Sequence, residues 1–301
     1  MSERAAVIEV QGLTKRYGTS RGVEDLTFEV GPGEAFGFLG PNGAGKTTTI
    51  RTILDFIRPT SGTVRVFGMD PRREGVRVHR RIGYLPGELA LYERMTGEAF
   101  LRAFAELRGG DGSARVVDLA DRLGLDLSRR IHDLSHGNKQ KIGLVQAFMH
   151  HPDLLILDEP TQGLDPLVQQ AFYAIVQEQR DRGAAIFLSS HVMPEVERVC
   201  DRVGIIREGR LATVADIGEL KAKALRRLEF HFGGPVPVSA FERLPGVKDV
   251  SVHGDSVLLS VEGSVDAVIK EAARHDVVSV ETRQPSLEEA FLAFYDSEEA
   301  G

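Results

Sequence analysis

Cysteine, positive charge and long apolar runs are all scarce in this sequence. Its one cysteine, Cys200, has no partner for an internal disulfide, so we expect a reducing compartment. The 37 lysines and arginines are outnumbered by 44 aspartates and glutamates, and the net charge of −7 argues against a protein that coats nucleic acid. The longest apolar runs, Leu154–Leu157 and Ala184–Leu188, have the length of strands, whereas a membrane span needs about 18 residues. If the protein works at a membrane, we expect another chain to supply the spans.

The chain is long enough for one large domain and a smaller one. It has 301 residues, of which 42% are hydrophobic, enough for a sizeable core. Short apolar runs at 35–39, 154–157 and 185–189 alternate with segments of helical periodicity, and this alternation predicts a parallel α/β sheet. Residues 96–127 have helical spacing throughout and predict a helical insertion between the first two runs.

The character of the sequence changes near residue 220. The following segment has predicted elements in the order β-α-β-β-α-β, which is typical of a ferredoxin-like layer. An additional helix is predicted at 286–295, because Ser286 can cap it and Glu289 follows three residues later. The six elements before that helix are strand 226–232, helix 239–244, strand 247–253, strand 256–262, helix 264–275 and strand 277–283.

A glycine-rich loop at residues 40–47, GPNGAGKT, fits the phosphate-binding pattern G-x-x-x-x-G-K-[ST]. It lies between the predicted strand 35–39 and a predicted helix at 46–56, which is the context that the pattern requires. Its backbone N–H groups can point at phosphate oxygens, Lys46 can reach the β- and γ-phosphates, and the Thr47 hydroxyl can ligate Mg²⁺. A plain glycine turn is the alternative. The residues predicted to bind nucleotide are Gly40, Pro41, Asn42, Gly43, Ala44, Gly45, Lys46, Thr47 and Thr48.

Two carboxylates, Asp158 and Glu159, follow the apolar run 154–157. Ligands of parallel sheets lie at the carboxyl ends of the strands, so Asp158 is placed to hold Mg²⁺, directly or through water. Glu159 could polarise an attacking water as general base, and His191, at the end of the next run, could reach the γ-phosphate and that water. A helix cap or surface turn is the alternative for the acidic pair, and a structural histidine is the alternative for His191.

Five motifs in one fixed order carry a family resemblance. After the phosphate loop come LSHGN at 134–138, LLILDEP at 154–160, GLDP at 163–166 and SSH at 189–191. Together they closely resemble the ATP-binding cassette of ABC transporters over about residues 5–220. The resemblance implies an α/β fold, namely a P-loop NTPase cassette with an antiparallel β subdomain and a helical subdomain. We therefore expect a cassette at 1–220, with a helical insertion at about 88–150, and a small α+β, ferredoxin-like accessory domain at 221–301.

The resemblance also implies an ATP-sandwich dimer that binds ATP and Mg²⁺. Each site would combine the phosphate loop of one subunit with a signature segment of the other, where Ser135 and Gly137 would contact the γ-phosphate. Asp165 would lie in the loop that links the two sites. Tyr17 matches the aromatic residue that stacks on adenine, with a plain core or edge-strand tyrosine as the alternative. The signature segment consists of Ser135, His136, Gly137 and Asn138.

Two segments depart from the family pattern. The signature is usually LSGGQ, whereas His136 and Asn138 here replace a glycine and the glutamine, as is common in the drug-export branch. The segment Ile82–Glu88 matches the family's glutamine loop, yet Gly87 stands where glutamine is usual and cannot ligate Mg²⁺. We hypothesise that Glu88, one position further on, substitutes for the missing glutamine.

These features predict an ATP-hydrolysing subunit of an ABC exporter. The segment RQPSLEEAFL at 283–292 resembles the end of the accessory domain in the daunorubicin-resistance type, which implies efflux of drugs, antibiotics or similar amphipathic compounds. The implied partners are a transmembrane permease and a second copy of the cassette, with no nucleic acid, at the cytoplasmic face of the cell membrane. The alternatives are a soluble cassette ATPase acting on nucleic acid or ribosomes, and a nucleotide-gated binding module without hydrolysis.

Overall fold

The computed structural model describes residues 5–18, 20–110, 113–223, 225–234, 238–283 and 286–287. The chain divides into two units, residues 1–214 and residues 215–301. The strands that belong to the sheets of the first unit are β1 (Ile8–Tyr17), β2 (Ser20–Val30), β3 (Ala35–Leu39), β4 (Ser61–Val66), β5 (Ile82–Leu85), β6 (Leu154–Asp158), β7 (Ala185–Ser190), β8 (Arg202–Arg207) and β9 (Arg210–Asp216).

Two sheets form the framework of the first unit. One is antiparallel with strand order β2-β1-β4, and the other has the order β5-β6-β7-β3-β8-β9. The strands from β5 to β8 in the second sheet pair in parallel. Each of β3, β6 and β7 is buried along its whole length, because a parallel sheet is covered on both faces.

Phenylalanine side chains fill the core between the two sheets. Phe28 of β2 packs against Phe36 and Phe38 of β3 and against Phe187 of β7, with ring centroids 5.4 to 5.8 Å apart. Aromatic rings bury a large apolar area, so this cluster fixes the antiparallel sheet on the parallel one. The parallel α/β sheet predicted from the sequence is present, and an antiparallel β sheet packs against it.

The helices of the first unit cover the parallel sheet and supply the insertion. Asp70, Thr96, Ser135 and Asp165 each accept a backbone N–H at a helix start, as expected of N-cap residues. The helices are α1 (Lys46–Ile53), α2 (Pro71–Arg80), α3 (Gly97–Leu107), α4 (Ser113–Arg122), α5 (His136–Phe148), α6 (Pro166–Asp181) and α7 (Met193–Val199). Among the described residues, no helix combines the length and the apolar character that crossing a membrane requires.

Two helix predictions are wrong at their boundaries. The continuous helix predicted at 96–127 is divided into α3 and α4, because the chain turns at Gly109, which has φ of 83°. The helix predicted at 46–56 ends at Ile53, since Asp55 adopts φ of 54°. A residue in the left-handed region ends a helix, and helical periodicity in the sequence does not reveal it.

The second unit contains α8 (Ile217–Lys223) and an antiparallel sheet in the order β11-β12-β10-β13. Leu228, Phe230 and Phe232 of β10 pack with Phe241 in its core. The elements follow the predicted order, but the predicted helix at 286–295 lies outside the described residues except for 286–287. The elements are β10 (Arg226–Phe232), α9 (Ser239–Glu242), β11 (Val247–His253), β12 (Ser256–Val261), α10 (Asp266–Ala272) and β13 (Val277–Arg283).

Candidate functional site

The strand order β6-β7-β3 brings three of the predicted motifs to one edge of the parallel sheet. The phosphate loop follows β3. Asp158 is the last residue of β6 and Glu159 comes directly after it, while His191 follows β7. They surround a cavity of about 450 Å³. The predicted residues that line it are Tyr17, Pro41, Asn42, Gly43, Gly45, Lys46, Thr47, Thr48, Gly87, Glu88, Asp158, Glu159 and His191.

The sequence analysis missed five residues that also line this cavity. One of them had a recognisable signal, because Arg51 follows Thr47 by four residues on α1 and so shares its helix face. Gln162 follows Glu159 by three residues, but nothing in the sequence marks that loop as part of the cavity. The five residues are Gly22, Arg51, Tyr84, Pro86 and Gln162.

Close packing explains the glycines of the phosphate loop. A Cβ atom on Gly40 would lie 2.3 Å from the backbone oxygen of Ile206, and one on Gly45 would lie 2.5 Å from Val23 Cγ1. Gly45 also has φ of 111°, a backbone conformation that residues with a side chain rarely adopt. These glycines therefore allow the backbone to curl in the way that phosphate binding needs.

The Lys46 ammonium group lies at the inner end of the loop. Its Nζ donates to the backbone oxygen of Gly40 at 2.6 Å and is 3.1 Å from Glu159 Oε1. The Lys46 side chain is 6% exposed, so its charge is little screened by solvent. A phosphate group entering the cavity would meet this buried positive charge.

The side chains of Thr47 and Asp158 place two oxygen atoms of the kind that bind metal ions next to each other. The Thr47 hydroxyl donates to Asp158 Oδ2 at 2.9 Å, and the Ser189 hydroxyl donates to Asp158 Oδ1. Mg²⁺ prefers such hard oxygens and usually binds through one or two carboxylates together with substrate phosphates. The donor set therefore fits Mg²⁺ bound together with a nucleotide.

The two carboxylate oxygens of Glu159 contact two other predicted site residues. Its Oε2 is 2.8 Å from His191 Nδ1, while its Oε1 faces Lys46. Glu159 also has φ of 51°, a left-handed conformation that costs on the order of 1 kcal/mol and is concentrated at functional sites. A carboxylate held in this way beside an imidazole is arranged to accept a proton.

Gln140 on α5 supports the backbone at Glu159 and is a further residue that the sequence analysis missed. Its buried side-chain amide donates to the backbone oxygens of Glu159 and Pro160 at 3.3 and 3.2 Å. Nothing in the sequence marked it, because Gln140 stands between Lys139 and Lys141 in the polar first half of the helix that begins with the signature segment.

The loop after β5 lies against Asp158. A Cβ atom on Gly87 would be 3.2 Å from Asp158 Oδ2, so this glycine is next to the predicted metal ligand, while Glu88 is exposed and lines the same cavity. Burial, together with the charge of Asp158, raises the pKa of Tyr84 to about 12. Tyr17 lies at the cavity edge with 47% of its surface exposed, which leaves area for a stacking partner.

The signature segment does not line this cavity. Ser135 caps α5 by accepting the backbone N–H of Asn138 at 3.3 Å, and His136 is exposed. A Cβ atom on Gly137 would lie 2.5 Å from the backbone oxygen of Gly163. Asp165, in the same loop as Gly163, accepts backbone N–H groups at the start of α6.

The chain is similar to known proteins over most of its length. The family model described as "ABC transporter" matches residues 23–162. The bacitracin transport ATP-binding protein BcrA of Bacillus licheniformis is 34% identical over 297 residues, covering 96% of this chain and 97% of BcrA. The daunorubicin/doxorubicin resistance ATP-binding protein DrrA of Streptomyces peucetius is 33% identical, covering 95% and 91%. A solved ATP-binding subunit of an ABC transporter, 34% identical, has a TM-score of 0.68 over 71% of this chain and 92% of that chain.

The chain therefore belongs to the ABC transporter family. It is an ATP-binding subunit that hydrolyses ATP, and this hydrolysis is coupled to transport. ATPases of this family dimerise and work with transmembrane permeases. The alternative of an ATPase acting on nucleic acid or ribosomes is not supported, since the similar proteins are transporter subunits.

Proposed function

We propose that this chain energises the export of drugs, antibiotics or similar amphipathic compounds through a separate transmembrane permease. The observation that carries the proposal is the meeting of Lys46, Glu159 and His191 in the cavity beside the Thr47 and Asp158 pair. The names of two relatives support drugs and antibiotics as the substrate class. BcrA is a bacitracin transport protein, and DrrA is a daunorubicin/doxorubicin resistance protein.

In this proposal each residue of the cavity has one role. The loop from Gly40 to Thr48 binds the phosphates, with Lys46 facing the β- and γ-phosphates, and Tyr17 stacks on adenine. Glu159 accepts the proton of the attacking water, and His191 stabilises the reacting groups beside it. Thr47 and Asp158 hold Mg²⁺, which neutralises phosphate charge when it is bound. Glu88 assists at the position where Gly87 replaces glutamine.

The signature segment completes the site of a second copy. Ser135 and Gly137 lie outside the cavity of their own chain, so a contact with γ-phosphate requires another subunit. With Asp165 between the two sites, two copies form an ATP sandwich. We place this dimer at the cytoplasmic face of the cell membrane, attached through the permease.

The accessory domain has a ferredoxin-like fold in this proposal. The sheet order β11-β12-β10-β13 and the element order β-α-β-β-α-β support it. We assign the cassette to residues 1–220, its helical insertion to about 88–150, and the accessory domain to 221–301. The division of the structure between residues 214 and 215 lies within a few residues of that boundary.

Replacement of Glu159 tests the hydrolytic role. In Glu159→Gln the side chain keeps its size but cannot accept a proton, so we expect ATP turnover to fall at least ~100-fold. Binding of a fluorescent ATP analogue should change less than about threefold, because Lys46 and the loop are intact. Glu106→Gln, an exposed position on α3, is the matched control. Turnover above half of the wild-type value in Glu159→Gln contradicts the assignment.

The permease is tested by affinity capture of this chain from detergent-solubilised native membranes, followed by mass spectrometry. We expect one stoichiometric multi-span partner. Recovery of ribosomal proteins or nucleic acid alone would overturn the exporter proposal. A strain lacking the chain should also become more sensitive to an amphipathic antibiotic, and Lys46→Ala should not restore resistance.

A further inference from the structure

Glu195 is a buried acid that has no role in the site described above. It lies in the first turn of α7 and is 2% exposed. Its Oε2 accepts a hydrogen bond from the Ser190 hydroxyl at 2.5 Å, and the Thr161 hydroxyl is a second donor to the same carboxyl group. Because a buried carboxyl group costs free energy, its presence next to the site indicates a function.

Ser190 connects Glu195 to the backbone on both sides of His191. The Ser190 hydroxyl donates to Glu195 and accepts the backbone N–H of Val192 at 3.0 Å. The Ser190 backbone oxygen accepts the N–H of Gly40, the first residue of the phosphate loop, at 3.2 Å. A hydroxyl has one hydrogen to donate, and because Glu195 accepts it, the oxygen lone pairs remain free for Val192.

The path of this backbone determines where the His191 ring points. The His191 side chain is 46% exposed, so burial does not hold it, and its Nδ1 is 2.8 Å from Glu159 Oε2. Val192 is the N-cap of α7 and makes no side-chain cap hydrogen bond. The Ser190 hydroxyl is therefore the side-chain group that fixes the chain between His191 and the helix.

We propose that Glu195 is a positioning residue for ATP hydrolysis. Glu195 orients the Ser190 hydroxyl, this hydroxyl fixes the backbone beside His191, and the His191 imidazole thereby stays in contact with the Glu159 carboxylate. The inference rests on the proposed function, in which Glu159 and His191 act on ATP. A glutamine at position 195 retains an oxygen that can accept the Ser190 hydrogen bond, whereas an alanine does not.

Variants of the full-length chain separate this role from a purely structural one. Glu195→Ala and Ser190→Ala break the link at its two ends, and we expect kcat for ATP to fall about 10-fold or more, because a small displacement of a reacting group is costly. The affinity for a fluorescent ATP analogue should stay within about twofold of wild type. Glu195→Gln should keep kcat within about threefold. Glu106→Gln, the exposed control position on α3, should do likewise.

A double variant tests whether Glu195 acts through His191. If it does, adding Glu195→Ala to His191→Ala lowers kcat no further, since the imidazole is already absent. An additive loss overturns the inference, as does wild-type kcat in Glu195→Ala or Ser190→Ala, or a Glu195→Gln protein as slow as Glu195→Ala. If Glu195→Ala does not fold, Ser190→Ala and Glu195→Gln decide by the same criteria. Wild-type kcat in His191→Ala instead contradicts the role of His191 in the proposed function.

Discussion

At the scale of single residues, two neighbouring carboxyl groups have different chemistry because their partners differ. Asp158 accepts hydrogen bonds from the hydroxyls of Thr47 and Ser189, which fix the orientation of its carboxylate. Glu159, one residue later, faces an ammonium group and an imidazole. The reversal of the backbone at Glu159, with its positive φ, directs the two side chains to different neighbours.

The ionisation of Glu195 should make stability depend on pH. Burial raises the pKa of Glu195 from an ordinary value of 4.5 to about 7, and the charge of Glu159 acts in the same direction. The folded protein thus keeps a proton that the unfolded chain loses, and this stabilisation is present below about pH 4.5 and is lost as the pH rises through about 7. Among the described residues, the titratable groups that interact directly with Glu195 are Glu159, His191, Tyr173 and Cys200.

Glutamine at position 195 does not titrate, so Glu195→Gln is the reference. Between pH 5 and 8 we expect the free energy of unfolding of the wild type to decrease relative to Glu195→Gln by on the order of 3 kcal/mol. Urea unfolding at a series of pH values measures this difference. A difference that does not change with pH would show that Glu195 ionises with an ordinary pKa.

Glu88 provides a second prediction at this scale. Gly87 offers no ligand beside Asp158, so the hypothesis assigns the missing function to the exposed Glu88 carboxylate on the same cavity. We expect Glu88→Ala to lower Mg²⁺-dependent ATP turnover ~10-fold, with Glu88→Gln less affected because it retains an oxygen ligand. Unchanged turnover and nucleotide affinity in Glu88→Ala would reject the hypothesis.

At the scale of elements, two glycines allow α5 to pack directly on the loop between β6 and α6. The Cα of Gly137 lies so close to Gly163 that an added Cβ would be 2.5 Å from its backbone oxygen. Gln140, one turn further along α5, hydrogen-bonds to the backbone of Glu159 and Pro160. Helix α5, which begins with the signature segment, is therefore fixed to the loop that contains Glu159, the proposed general base.

Gly137→Ala should loosen this connection. The new methyl group would force α5 away from backbone atoms that cannot rotate aside, and we expect a destabilisation of roughly 1–3 kcal/mol together with lower ATP turnover. Gly75→Ala on α2 is the matched control, because a Cβ there meets nothing within 4 Å; alanine should be neutral or slightly stabilising. Thermal unfolding of both variants measures the contrast, and equal midpoints would mean that α5 can shift freely.

At the scale of the whole molecule, the signature segment and the cavity belong to the same cassette but do not meet within it. Ser135, His136, Gly137 and Asn138 are absent from the cavity lining. In the proposed ATP sandwich a single chain offers two half-sites, and a second copy brings its signature segment to the phosphates. Because nucleotide in this arrangement contacts both chains, its binding energy favours the dimer over the monomer.

We expect ATP to control the oligomeric state. Glu159→Gln, which retains ATP, should be a monomer without nucleotide and a dimer with saturating ATP and Mg²⁺, as measured by light scattering on size-exclusion chromatography. Lys46→Ala should remain monomeric under the same conditions, because it lacks the charge that faces the phosphates. A monomeric Glu159→Gln protein at saturating ATP contradicts the sandwich arrangement.

The order of residues along the chain is sufficient to predict the cassette class and most of the lining of the cavity. Patterns such as GPNGAGKT and LLILDEP combine a buried strand with a turn of defined chemistry, so local residue order is sufficient to predict them. The same holds for the succession of strands and helices after residue 225, where apolar periodicity is clear.

Which side chains contact one another depends instead on how the elements pack in three dimensions. The pairing of Glu159 with Lys46 and His191 depends on three strand ends becoming neighbours, and the burial of Glu195 and Gln140 depends on packing between elements far apart in the chain. The ends of α1 and α3 were also decided by backbone conformations at Asp55 and Gly109, which hydrophobic periodicity does not encode. Periodicity records which face of an element is buried, whereas contacts between elements arise from the fold as a whole.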